Sequence, residues 1–184
     1  MLGDTDILRR FKAGQKEEAF RDIVNQYGER LYWHIRRIVT VHEDADDLLQ
    51  NTFVKAWQAL DRFRGDSGLY TWLYRIATNE VITFLNRKKI DTTAALSTEP
   101  ELMASRLKAD RHFDGEQLQM LLKRAIATLP TKQRVVFCER YYNETPYEDI
   151  SKALGTSVGA LKASYHHVYG KVLEYVKARI DIDY

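Results

Sequence analysis

The sequence predicts an all-α fold: two small helical domains joined by a flexible linker, the second carrying a helix-turn-helix. Three observations lead there. No proline precedes Pro100, so proline breaks no helix in the first half of the chain. Apolar residues recur at i, i+3, i+4 and i+7 over long stretches, the spacing of a helix with one buried face. Alternating apolar and polar runs rich in β-branched residues, the mark of strands, are scarce.

Composition narrows the class further. The chain has 184 residues, 45% hydrophobic and 29% charged, ordinary values for a folded protein and too apolar for disorder of the whole chain. Lys and Arg number 28 against 26 Asp and Glu, a net charge of +2. The longest stretch free of charged side chains, Ala153 to Leu161, falls well short of the ~20 apolar residues of a membrane span. The start, MLGDTDILRR, lacks the apolar core of a secretory signal, and the single cysteine, Cys138, has no internal partner for a disulfide. A cytoplasmic protein is expected. Cys138 lies among Val135, Val136 and Phe137 and reads as a small buried hydrophobe.

The near-zero total hides a separation of charge. Residues 42–61 hold five acids and one base, and residues 62–89 six bases and two acids. In the acidic segment Ala45, Leu48, Leu49, Thr52, Phe53, Ala56, Trp57 and Leu60 form a core stripe, leaving Asp44, Asp47, Gln50, Asn51 and Val54 on the other face. Such a face fits either a solvated surface, with acids favoured near a helix N-terminus, or a docking surface for a basic partner.

Next comes Phe63-Arg64-Gly65-Asp66-Ser67-Gly68, a loop that combines an aromatic, a cation and flexible glycines. The helix predicted from about Leu69 buries Leu73, Ile76, Ala77 and Phe84. Another side carries Trp72, Arg75, Asn79 and Asn86. An aromatic, a guanidinium and amides in one stripe can stack on bases and contact phosphates. The plainer alternative is a partly buried Trp72 on a wet face. Residues 91–115, with Pro100 and several Ser and Thr, read as a linker, with room for a helical turn near Met103 to Lys108.

The second unit opens with Leu118, Leu121, Leu122, Ala125 and Leu129 at helical spacing, stopped by Pro130. Val135 to Phe137 mark the next helix. Thr145-Pro146-Tyr147-Glu148 has the pattern of a capping box with proline at the first helical position. The helix it opens ends where Gly155 can supply a left-handed stop, and Ser157 or Thr156 can cap one more. In that last helix Val158, Leu161, Tyr165, Val168 and Val172 form the core side. Gly159, Ala163, His166, His167 and Gly170 lie opposite, with Lys162 at the margin. A short helix, a glycine turn and a helix with a small, polar outer face is a DNA-binding pattern, although paired helices of this kind also occur without DNA. His166 and His167 point about 100° apart and do not share an ion easily. No metal, no cofactor and no catalytic constellation is expected from the five histidines and one cysteine.

The segments DADDLLQNTFVKAW (44–57), FRGDSGLYTWLYRIATN (63–79), LPTKQRVVF (129–137) and YEDISKALGTSVGALK (147–162), in this order, resemble the sigma-70 family of bacterial RNA polymerase sigma factors, in its small extracytoplasmic-function (ECF) group. The resemblance implies a region 2 domain over 10–90, a linker over 91–115 and a region 4 domain over 116–178. It implies a non-catalytic subunit that binds core RNA polymerase, through the β′ coiled coil and the β flap, and directs it to promoter DNA. Asp44, Asp47, Gln50 and Asn51 would meet the β′ coiled coil. The loop from Phe63 through Arg64, Gly65, Asp66 and Ser67 would hold a flipped base of the −10 element, with Trp72, Arg75 and Asn79 helping to open and read the strand. Lys162, Ala163, His166 and His167 would face the −35 element, with Ser157 and Gly159 near its backbone. An anti-sigma factor is a further partner implied. The chain departs from the family pattern at Ser164 and His167, where arginines are common, which weakens the −35 grip expected. The rival reading is a stand-alone helix-turn-helix transcriptional regulator.

Overall fold

A computed structural model of the chain describes residues 2–39, 41–94 and 115–180. All regular structure among them is helical: α1 (Asp4–Lys12), α2 (Lys16–Ile38), α3 (His42–Ala59), a 3-10 turn (Leu60–Arg62), α4 (Leu69–Ala94), α5 (Gly115–Ala127), α6 (Thr131–Tyr141), α7 (Tyr147–Leu154) and α8 (Val158–Ile180). Cα packing separates two units, Met1–Val81 with Glu148–Thr156, and Ile82–Tyr147 with Ser157–Tyr184.

In the first unit, α1 places Asp4 and Asp6 in its first turn and Arg9, Arg10 and Lys12 in its last, matching both ends of the helix dipole. It buries Ile7 and Phe11, one turn apart. Gly14, at φ +91°, turns the chain into α2, a conformation open to glycine without steric cost. Helix α2 buries Ala19, Ile23, Tyr27, Leu31, His34, Ile35 and Ile38, and α3 buries Ala45, Leu48, Thr52 and Ala56. Edge-to-face rings lock the three helices: Phe20 lies 5.1 Å from Trp57 and 6.1 Å from Phe53, and Phe11 lies 6.5 Å from Trp57. That geometry aims ring edges at π faces. It also leaves Trp57, assigned to the core from its spacing, 40% exposed at the rim of the cluster.

Helix α4 buries Leu69, Leu73, Tyr74, Ala77, Thr78 and Val81, while Ile76 and Phe84, also expected in the core, are half-buried. Two buried polar side chains here, Thr78 and His34 of α2, are paired with each other. The Thr78 hydroxyl donates its one proton to the Tyr74 carbonyl at 2.8 Å, so at 3.1 Å it accepts from His34 Nε2, which fixes the histidine's tautomer. Helix α4 runs on through Ala94, because no proline or glycine interrupts the sequence entering the expected linker. The turn expected near Met103 to Lys108 lies outside the described residues.

In the second unit, α5 and α6 pack on α8. Pro130, at φ −54° and ψ 144°, breaks α5 and opens α6, its carbonyl accepting the Arg134 N–H at 2.9 Å. Five consecutive residues of α6, Val135 to Glu139, are buried, Cys138 among them as expected. Glu139 is the polar exception. Its carboxylate accepts Asn143 Nδ2 at 3.0 Å and Thr145 Oγ1 at 2.7 Å. The Thr145 hydroxyl, read from the sequence as an acceptor in a capping box with Glu148, gives its proton to this buried carboxylate, a partner the sequence pattern does not show. Leu161, Val168 and Val172 are buried on α8 as expected, while Val158 and Tyr165 are half-buried.

Candidate nucleic-acid and polymerase interface

The outer face of α3 follows from burying Ala45, Leu48, Thr52 and Ala56. Asp47, Gln50 and Asn51 are exposed, Asp44 is half-buried, and Val54, 55% exposed, extends the same stripe toward the C-terminus. The polar side chains are therefore not scattered: the acids Asp44 and Asp47 and the amide Asn51 fall at i, i+3 and i+7 on one face. Neighbouring charges are engaged elsewhere. Asp46 reaches His42 Nδ1 at 3.6 Å, and Lys55 pairs with Glu80 of α4.

The loop after the 3-10 turn joins α3 to α4. Arg64, Gly65 and Asp66 are exposed, Phe63 and Ser67 half-buried. Gly65 sits at φ +80° with open space around it, so conformation, not crowding, requires glycine there. The Phe63 and Trp72 rings lie 5.0 Å apart at 43°. Trp72 is thus neither core nor fully free: Phe63 covers part of it and the rest stays open. Arg75 and Asn79 are exposed one and two turns further on. Trp72, Arg75 and Asn79 form the single stripe that the spacing predicted, an aromatic surface followed by a cation and an amide. Behind Phe63, a cleft of about 350 Å³ is lined by Leu8, Phe11, Leu60 and the Lys16–Asp61 ion pair, which closes at 2.7 Å.

Sequence reasoning missed what holds this loop. The carboxylate of Asp4 accepts the Leu69 N–H at 2.8 Å and the hydroxyl of Tyr27. Burial first, and then the bond to the Asp4 carboxylate, push the Tyr27 hydroxyl up to about 12. Contacts across 65 and 23 residues leave no local pattern to read.

In the second unit the expected outer face of α8 is open. Ser157, Gly159, Lys162, Ala163, His166 and His167 are exposed, and Ser164 is half-buried. Ser157 caps the helix, its Oγ accepting the Ala160 N–H at 3.3 Å. Gly155, in the Glu148–Thr156 segment grouped with the first unit, adopts φ +61° and gives its N–H to the Ser151 carbonyl at 2.9 Å, the left-handed stop expected. Lys162 is drawn to the Tyr147 ring, 5.7 Å from its centroid, while Arg140 lies 4.5 Å from it. A second surface was not foreseen. Phe137 stacks 5.2 Å from Tyr141 and 5.8 Å from Tyr165, and Tyr165 lies 6.1 Å from Tyr169, with Tyr141 and Tyr169 nearly half exposed. Among the described residues no cluster of three or more His, Cys, Asp or Glu could hold a metal ion, and no helix is long and apolar enough to cross a membrane.

Known proteins share this arrangement. Residues 23–90 match Sigma-70 region 2 and residues 119–171 match Sigma-70 region 4. The chain is 31% identical over 170 residues to the ECF RNA polymerase sigma factor SigW of Bacillus subtilis (strain 168), spanning 87% of this chain and 91% of that protein. It is equally, 31%, identical over 170 residues to the ECF RNA polymerase sigma-E factor of Escherichia coli (strain K12), spanning 88% of each. The fold is similar to that of the sigma factor RpoE, solved with the anti-sigma factor NepR from Bartonella quintana, with TM-score 0.65, 23% identity and coverage of 86% of this chain and 96% of that one. It is similar also to CnrH, solved with the cytosolic domain of CnrY, with TM-score 0.63, 23% identity and coverage of 98% and 99%. With both regions present in order and curated relatives matched over nearly their whole length, the chain belongs to the ECF group of the sigma-70 family of RNA polymerase sigma factors.

Proposed function

We propose that this alternative sigma factor binds core RNA polymerase through the outer face of α3 and holds the opened −10 strand with the Phe63–Ser67 loop and the Trp72–Arg75–Asn79 stripe. The observation that carries this reading is the juxtaposition within one helical unit: an acidic stripe, then a loop, then a half-buried Trp72 one turn into α4 with the Phe63 ring against it. An acidic face suits a basic protein partner, since charge complementarity sets orientation and association rate. An aromatic with an exposed cation one turn away suits single-stranded DNA.

Magnitudes assign the labour. Stacking one base on an aromatic returns about 1–3 kcal/mol. Extruding it from the duplex costs a few kcal/mol, so Trp72 alone does not melt a promoter. Opening therefore requires polymerase, and the role is binding and specificity rather than catalysis. Helix α8 faces the −35 element with Lys162, Ala163, His166 and His167, and with Ser157 and Gly159 at the backbone. One lysine gives that face little phosphate grip, so polymerase docking and the first unit supply most of the affinity. Acting on polymerase and chromosomal DNA, the protein works in the cytoplasm, and its family membership supports control by an anti-sigma factor.

The acidic face is tested by the affinity of purified protein for core polymerase. Asp47→Arg is expected to weaken binding at least about tenfold, by reversing a charge at a complementary contact, with helicity by circular dichroism unchanged. Unaltered affinity would return this face to ordinary solvated surface.

A further inference from the structure

The carboxylate of Asp4 stands where α1, α2 and α4 meet. Its Oδ2 accepts the backbone N–H of Leu69 at 2.8 Å, and its Oδ1 accepts the Tyr27 hydroxyl. Leu69 opens α4, so that N–H is one of the four donors a helix start leaves without an intrahelical partner. The residue before it, Gly68, has no side chain with which to cap. Its carbonyl accepts the Trp72 N–H at 3.2 Å, the first bond of the helix. A side chain at the position of Gly68 would reach the N–H of Tyr70 or Thr71, so the Leu69 N–H is met from α1 instead, by a carboxylate that also faces the positive end of the helix dipole.

The other groups hold Asp4 in place. Gln26 Nε2 donates to the Tyr27 hydroxyl at 2.8 Å. The Tyr27 ring lies 6.0 Å from that of Tyr70, on whose face the Arg30 guanidinium sits at 3.7 Å. Ile7, fully buried one turn after Asp4, anchors α1 itself. The pinned N–H lies at the junction of the Phe63–Gly68 loop and the turn that carries Trp72. Without Asp4, water can satisfy Leu69, and the helix survives with a frayed first turn. The loop and Trp72 then lose their common fixed point.

We propose that Asp4 is a positioning residue for promoter opening, capping α4 from a distance so that the Phe63–Trp72 pair is set before DNA arrives. This rests on the reading of that loop as the −10 contact. It makes α1, which carries none of the DNA-facing side chains, part of the opening machinery.

The test uses holoenzyme reconstituted from core polymerase and the full chain, on a promoter with 2-aminopurine in the −10 element, at a temperature where each variant is folded. Three proteins are compared: wild type, Asp4→Ala, and Asp4→Ala with Gly68→Ser. Gly68→Ser offers a local cap to the Tyr70 or Thr71 N–H, firming the same first turn, and the added Cβ would lie 3.5 Å from Asp4 Oδ2, an ordinary contact. Asp4→Ala is expected to bind polymerase within about twofold of wild type and to open the promoter about fivefold less, the scale of a lost cap. The added serine should recover most of that loss. Undiminished opening by Asp4→Ala, or no recovery on adding Gly68→Ser, would reduce Asp4 to a structural residue and overturn the proposal. If Asp4→Ala does not fold, a folded and active double variant supports the proposal and an unfolded one overturns it. Failure of wild type itself to bind polymerase or open DNA would instead sink the reading of the chain, and this proposal with it.

Discussion

Tyr27 shows how much of this fold rests on single polar groups. Its folded-state pKa, about 12, lies above the ordinary 10.0, so the protonated hydroxyl is the form the fold favours. The stability it contributes is complete below pH 10 and is lost as pH rises toward 12. Tyr27→Phe should be less stable than wild type by about 1 kcal/mol near neutrality. In denaturant titrations that gap should close between pH 10 and pH 12; a gap constant across that window would show that the hydroxyl's proton is not what Asp4 holds. Gly155 is a conformational case. Nothing lies within 4 Å of an added Cβ, so Gly155→Ala meets only the cost of φ +61°. The expected loss is about 1–2 kcal/mol by urea unfolding, and less for Asn, which tolerates this region. An unchanged midpoint would mean that the turn relaxes. At this scale the sequence was legible where chemistry is local: Gly155 could be read directly, and the cap of α8 was narrowed to Thr156 or Ser157, of which Ser157 makes the bond. Asp4 with Tyr27 and Glu139 with Thr145 could not, because a carboxylate's partner across space has no fixed spacing, and Thr145 carries the same local pattern whether it caps or donates.

Elements obeyed periodicity better than residues obeyed pairing. The buried faces of α3, α4 and α8 fall where the i, i+3, i+4 spacing puts them, because a helix hides one stripe whatever it packs against. Rims are less predictable: Trp57 and Tyr165 lie at core spacing yet stay partly open, since neighbouring rings and not the helix's own period decide their cover. The outer stripe of α4 carries the sharpest prediction at this scale. Trp72→Ala should leave polymerase affinity within about twofold while reducing −10 opening about tenfold, the loss of one base–aromatic stack. Equal losses in binding and opening, measured on the same holoenzyme, would show that Trp72 acts mainly by holding α4 against Phe63.

At the scale of the whole molecule, two helical units on one chain suit recognition of two promoter elements by one complex, where each contact raises the effective concentration of the other. The division of strength follows from side chains already described. The first unit offers an acidic face and an aromatic–cationic stripe, whereas the outer face of α8 offers one lysine, two histidines and small residues. Both parts of this organisation were visible in the sequence through charge separation over residues 42–89 and through the glycine turn before α8. The aromatic ladder from Tyr141 to Tyr169 was not, because it is assembled from two helices. If the chain acts as proposed, promoter selectivity belongs to its complex with polymerase. The decisive experiment is run-off transcription from a promoter library, with core polymerase and purified protein. The prediction is transcripts from a restricted subset of promoters, sharing −10 and −35 sequences, that depend on both components. A folded, inhibitor-free protein that neither binds polymerase nor selects promoters, yet protects DNA sites alone, would contradict it.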